Sequence, residues 1–149
     1  DEEEVKRNWE KLKMKEGKQS VLEGVPRSLP SMVKAQRIQE KARGAGFDWE
    51  KPEQVWEKVE EELNEFQEAV SRKDQKDMSD ELGDVFFALI NYARFHNLNP
   101  DEALERTNRK FISRFRYMED KVRESGKTLH ELSLAEMDVY WNQAKTTEI

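Results

Sequence analysis

The chain has 149 residues, 36% of them hydrophobic and 39% charged, with a formal net charge of −6 and no cysteine. That length suits one domain with a core of its own, and so much charge fits solvated helix faces. The acidic balance argues against direct nucleic-acid binding, the lack of cysteine excludes disulfides and thiolate metal sites, and no apolar run could span a membrane.

Only 6 Gly and 4 Pro are present, which favours helices over tight turns. No secretory leader is legible, and the expected compartment is the cytoplasm. The chain opens at Asp1 instead of Met, as a piece of a longer protein would. Glu2 to Lys18 reads as a highly charged helix ending near Gly17, with Val5, Trp9 and Leu12 as its narrow apolar stripe. It is expected to be a linker or appended helix with Trp9 docked on the body. Gly24, Pro26 and Pro30 make Ser20 to Ser31 an extended connector. Residues 1–24 are therefore expected to be a lead-in, and 25–149 the domain proper.

Ser31 is a plausible N-cap for a helix from Met32 to Arg43, with Met32, Ala35, Ile38 and Ala42 on one face. Gly44 and Gly46 stop it. Phe47 and Trp49, in the loop that follows, either plug the end of a bundle or touch a ligand. A helix from Pro52 to Val70 comes next, with Val55, Val59, Leu63, Phe66 and Val70 as its core stripe. Lys58, Glu62, Glu65 and Ala69 fall on one flank of that stripe, bordering the core instead of opposing it. After a polar break from Ser71 to Asp77, a helix from Ser79 to His96 carries Leu82, Phe86, Leu89 and Ala93 on one stripe. Glu81, Asp84, Ala88, Asn91 and Phe95 make a second. The run Val85 to Ile90 is apolar on nearly every side, which predicts a buried helix. Asn91 either satisfies a local hydrogen bond or lines a pocket. His96 and His130 are read as structural.

Asp101 opens a long helix ending near Glu124, with Leu104, Phe111, Phe115, Met118 and Val122 as core. Lys110 and Arg114 share a face beside that stripe. Ser133-x-x-Glu136 is a capping box for a last helix with Met137, Tyr140, Trp141 and Ala144 on one side. Trp141 and Lys145 again stand one turn apart, although a Trp there is more often part of a core than a ligand platform.

Two carboxylate pairs at i,i+3 spacing, Glu62/Glu65 and Glu81/Asp84, carry the chemistry. Residues three apart are neighbours on a helix surface, so each pair can present both acids to one point. Carboxylates entering a buried region need a partner or a metal. With no Cys or His among them, the donors are all oxygen, which suits Mg²⁺, with Mn²⁺ as a substitute, and disfavours Zn²⁺. A di-iron bundle would need Glu-x-x-His pairs. Mg²⁺ on carboxylates with Lys and Arg nearby is apparatus for polyphosphate, and no Gly-rich phosphate loop competes with it. The residues alone thus predict a Mg²⁺-dependent phosphoanhydride hydrolase on an all-α scaffold.

Glu61-Glu62-Leu63-Asn64-Glu65 followed by Glu81-Leu82-Gly83-Asp84 resembles the E-E-x-x-E…E-x-x-D signature of the MazG nucleoside triphosphate pyrophosphohydrolases. The likeness extends to LPSMVKAQRIQEKARGAGFDW, DELGDVFFALINYARF, ALERTNRKFISRFRYME and the late Trp141-x-x-x-Lys145. These segments look like the C-terminal MazG domain of longer bacterial proteins. The resemblance implies an all-α helical bundle completed by homodimerisation, and hydrolysis of (deoxy)nucleoside triphosphates to the monophosphate and pyrophosphate in nucleotide-pool house-cleaning. It implies Glu62, Glu65, Glu81 and Asp84 as Mg²⁺ ligands, and Glu61 as a water-orienting neighbour. Lys58, Lys110, Arg114, Trp141 and Lys145 would face the nucleotide, and Asn91, from its place on the second stripe, is a further candidate for binding it. Two alternatives stay open: a dUTP-directed pyrophosphatase with the same metal site, and a non-catalytic interaction module.

Overall fold

A computed structural model describes residues 1–15, 17 and 19–147, and among these the regular structure is entirely helical, as expected. No helix there is long and apolar enough to cross a membrane. The chain divides into two compact units, the first ending at Asp101 and the second starting at Glu102.

The first unit begins with α1 (Glu2–Lys15) and α2 (Ser31–Gly44). α1 is described as far as Lys15, and its expected end at Lys18 lies outside the described residues. An ion pair from Glu3 to Arg43 ties α1 to α2, while Trp9 is 59% exposed, so the expected docking of Trp9 is not made. Pro30, not Ser31, holds the cap position of α2: its carbonyl accepts from Lys34 N at 2.8 Å, and Ser31 is the first helical residue. The end of α2 is closed by Gly46 in the left-handed region (φ 95°), which lets Phe47 N donate back to Ala42 O at 2.9 Å.

α3 (Pro52–Arg72) and α4 (Gln75–Phe95) form a helical hairpin that carries most of the packing in this unit, with α2 laid against α4. Gln54 reaches back to accept from Glu50 N and Lys51 N, both at 3.1 Å, and fixes the start of α3. The connection is shorter than the expected break. Lys73 alone adopts the left-handed conformation (φ 58°), and Asp74 caps α4 by accepting from Lys76 N at 3.0 Å and Asp77 N at 3.3 Å. One acceptor satisfying two N-terminal amides lets α4 start four residues ahead of Ser79.

Val55 and Val59 of the expected stripe are buried on α3, joined by Glu62 and Ala69 from its flank, whereas Leu63 and Val70 are exposed. On α4 the buried residues are Val85, Ala88 and Ile90, while Leu82, Phe86, Phe87 and Leu89 are exposed. The expectation of a helix buried all round is therefore corrected. α4 meets chiefly α2 and α3, and helices on one side cannot cover the other.

The second unit holds α5 (Pro100–Glu124), a 3-10 turn (Leu129–Glu131) and α6 (Leu134–Thr147). Met118, Val122 and Leu132 are its buried cluster, ringed by Phe115, Leu129, Met137 and Tyr140. Leu104 and Phe111, expected in the core, are about half exposed. The predicted capping box is formed: Ser133 N donates to Glu136 Oε1 at 3.1 Å, and Glu136 N to Ser133 Oγ at 3.2 Å.

Candidate functional site

The hairpin turns the flank of α3 toward the acidic start of α4. Carboxylate oxygens of Glu62, Glu81 and Asp84 lie within 4.8 Å of one another. Glu62 is buried at 6% exposure, and one of its oxygens, Oε1, takes an ion pair from Lys58 Nζ at 2.9 Å. Its second oxygen and Glu81 Oε2 are out of contact with solvent and have no hydrogen-bond partner. Two such oxygens close to a third carboxylate are strongly unfavourable by themselves, and a divalent cation removes both penalties at once. The donor set therefore fits a hard metal ion.

Glu65 stands beside this trio without belonging to it. Its carboxyl is held above the usual range, first by the charge of Glu62, then by burial, then by the charge of Glu81. Lys58 is shifted upward in turn, chiefly by its hydrogen bond to Glu62. It also reaches Glu61, an exposed residue, at 3.5 Å.

Next to the acids a cavity of about 590 Å³ opens in the first unit. Ile38, Ala42, Val55, Phe87 and Ala88 make its apolar wall, and Lys58, Glu62 and Asp84 its polar edge. Phe47 and Trp49 line it as well, at 84% and 42% exposure, so they do not plug a bundle end. Their loop is held by Asp48, which accepts from Arg94 Nη2 at 2.7 Å and Nη1 at 3.2 Å, with Arg43 Nε 3.5 Å away. Asn91 meets both of its expected alternatives: it lines the cavity, and its Oδ1 accepts from Arg94 Nε at 3.2 Å.

Of the basic and aromatic candidates on the second unit, Arg114 and Trp141 are brought together. The guanidinium lies 5.9 Å from the indole centroid, and Phe111 packs on the same ring at 5.0 Å. Lys110 and Lys145 are exposed on that unit.

Sequence reasoning missed Gln39, a buried cavity residue on α2. Its signal was present, since Met32, Ala35, Gln39 and Ala42 follow the core spacing of a helix as well as the set containing Ile38. The Asp48–Arg94 pair joins positions 46 apart and has no local signature.

Fold and site together define an all-α protein with an acidic, metal-type cluster at the edge of an apolar cavity. The family profile of the MazG nucleotide pyrophosphohydrolase domain matches residues 50–118, which include Glu61, Glu62, Glu65, Glu81 and Asp84. A Thermotoga maritima protein named nucleoside triphosphate pyrophosphohydrolase/pyrophosphatase MazG is 41% identical over 142 residues, covering 93% of this chain and 54% of its own. The Escherichia coli K12 nucleoside triphosphate pyrophosphohydrolase is 37% identical over 152 residues, covering 98% and 58%. The Bacillus subtilis protein YabN, described as uncharacterized, is 45% identical over 152 residues, covering 99% and 31%. The chain thus spans little more than half the length of the first two relatives. Residues 50–118 match the MazG domain, and nearly the whole chain is similar to MazG pyrophosphohydrolases.

Proposed function

We propose that this chain hydrolyses (deoxy)nucleoside triphosphates to the monophosphate and pyrophosphate with Mg²⁺, and so clears unwanted triphosphates from the nucleotide pool. The observation that carries the proposal is the cluster of Glu62, Glu81 and Asp84 oxygens within 4.8 Å, beside a cavity large enough for an organic ligand. The printed names of the Thermotoga and Escherichia relatives support the same reaction.

In this reading Glu62, Glu81 and Asp84 hold the metal, with Glu65 completing the set. Bound Mg²⁺ supplies positive charge to phosphate oxygens and a more acidic water. Lys58 holds Glu62 in orientation through their ion pair, and Glu61 orients the attacking water. Water oxygen bonds to the phosphorus nearest the sugar, the bridge to the next phosphate breaks, and pyrophosphate leaves in one piece. The apolar cavity receives the base. Lys110, Arg114, Trp141 and Lys145 supply the remaining nucleotide contacts. The net charge of −6 makes nucleic acid an unsuitable partner. A homodimer covers the exposed apolar residues of α3 and α4.

The test is a panel of the eight common ribo- and deoxyribonucleoside triphosphates with Mg²⁺, products resolved by anion exchange. Pyrophosphate and monophosphate in equal amounts are expected. An early diphosphate product excludes the assignment, turnover of dUTP alone gives the narrow enzyme, and no turnover gives an interaction module.

A further inference from the structure

Gln39 occupies the middle of α2 at 6% exposure and forms part of the cavity wall. Its Nε2 donates to the main-chain oxygen of Phe87 on α4 at 2.9 Å. A carbonyl oxygen can only accept, so this bond decides which end of the amide faces α4. The other end, Oε1, is therefore an acceptor, and it has neither solvent nor a hydrogen-bond partner. A buried acceptor left in this way calls for a donor from a ligand.

The neighbouring acceptor oxygens of the cavity are already engaged. Asn91 Oδ1 and both oxygens of Asp48 take N–H groups from Arg94, and Glu62 and Asp84 belong to the acidic cluster. Gln39 Oε1 remains the unengaged acceptor in the wall of an apolar space that Phe47 and Trp49 also line. Flat, apolar faces with a single fixed acceptor suit a heteroaromatic base carrying an N–H on its edge.

We propose that Gln39 is the base-reading residue of this site, its Oε1 accepting one N–H from the hydrogen-bonding edge of the nucleobase. This rests on the nucleotide reading given above and adds a selectivity rule. Adenine and cytosine offer an amino group there, and guanine, uracil and thymine a ring N–H, so one acceptor admits every common base. It rejects a base stripped of donors, because the acceptor then stays buried and unpaired.

The experiment compares the α,β-imido triphosphates of adenosine and of purine ribonucleoside, which lacks only the 6-amino group. Binding is followed by calorimetry with Mg²⁺, on the wild type and on Gln39→Met, which keeps the volume and removes the acceptor. The adenosine compound is expected to bind the wild type roughly tenfold or more tightly than its partner, and the gap to close in the variant. Equal binding of the two compounds to the wild type, binding of neither, or a gap that survives in Gln39→Met overturns the proposal. The wild-type comparison stands alone should the variant fail to fold. Pyrophosphate release from ATP is scored on the same sample. A base gap without turnover refutes the hydrolase and supports the role of Gln39, and turnover without a gap does the reverse.

Discussion

Lys58 Nζ holds one oxygen of Glu62 at 2.9 Å, so that buried carboxylate has a single oxygen left for the acids of α4. The lysine thus offsets part of the repulsion in the cluster before any metal arrives. Replacing it, as Lys58→Met, leaves Glu62 buried with neither oxygen paired. The metal-free protein should lose about 1–3 kcal/mol, toward the lower end because Lys58 is 38% exposed, and Mg²⁺ should restore much of it. Thermal melting with EDTA and with Mg²⁺ checks this, and a variant whose loss is the same in both conditions contradicts it.

Removing an acid should act in the opposite sense. Glu81→Gln and Asp84→Asn each take one negative charge from a cluster of like charges while keeping its volume. Both should abolish Mg²⁺-dependent turnover, retain helix content by circular dichroism, and melt no lower than wild type without metal. Full activity in either variant would remove that residue from the metal set.

On the second unit, Arg114 rests over Trp141, and Lys110 lies one turn before it on α5. If both bind phosphate, Lys110→Gln or Arg114→Gln should lower kcat/KM roughly tenfold to a hundredfold. Arg116→Gln, an exposed change on the same helix, is the control and should leave kcat/KM near wild type. If all three variants behave alike, the helix is a basic scaffold face and the phosphates have other ligands.

Trp56, Leu63 and Val70 recur every seven residues on α3, and Leu82, Phe86 and Leu89 share a stripe on α4, all of them exposed. Sedimentation velocity should give a dimer for the wild type and a monomer for Phe86→Glu. A wild type that sediments as a monomer across the micromolar range contradicts the homodimer.

Glu136 links the capping box of α6 to pH. Its carboxyl is held below the usual 4.5, first by the main-chain N–H of Ser133 and then by that residue's hydroxyl. A folded-state pKa below the unfolded one contributes stability at higher pH, and that contribution fades as the pH falls through the folded value. The wild type should therefore outlast Glu136→Gln at neutral pH, with the gap in melting temperature closing as the pH falls below 4.5. A gap that is constant over this range contradicts the cap.

Helix identity was legible because periodic apolar residues and caps are local. The capping box of α6 appeared as read, and so did the start of α3 at Pro52. Facing was harder. The spacing around Leu63 and Val70 marks an apolar stripe without saying what meets it, and within this chain α4 packs on the neighbouring flank. The acids were legible as pairs because i,i+3 spacing is geometric, and Glu62, Glu81 and Asp84 do converge. Gln39 was not, since a polar residue on a core spacing declares itself only when its surroundings are known. Asp48 and Arg94 meet through the tertiary fold alone.

The turn at Lys73 and Asp74 also acts as a ruler. Glu62 and Asp84 stand eleven positions to either side of Lys73, and Glu65 and Glu81 stand eight. In a helical hairpin, residues equidistant from the bend lie at the same level, so the length of this connection is what aligns the acids. One residue added inside either helix between the bend and its acids would displace that pair by about 1.5 Å and rotate it by about 100°. The cluster could thus be dismantled with every carboxylate still in the chain. Substitutions that change residue type near Lys73 are then far easier to accommodate than any change in the number of residues between Glu62 and Asp84.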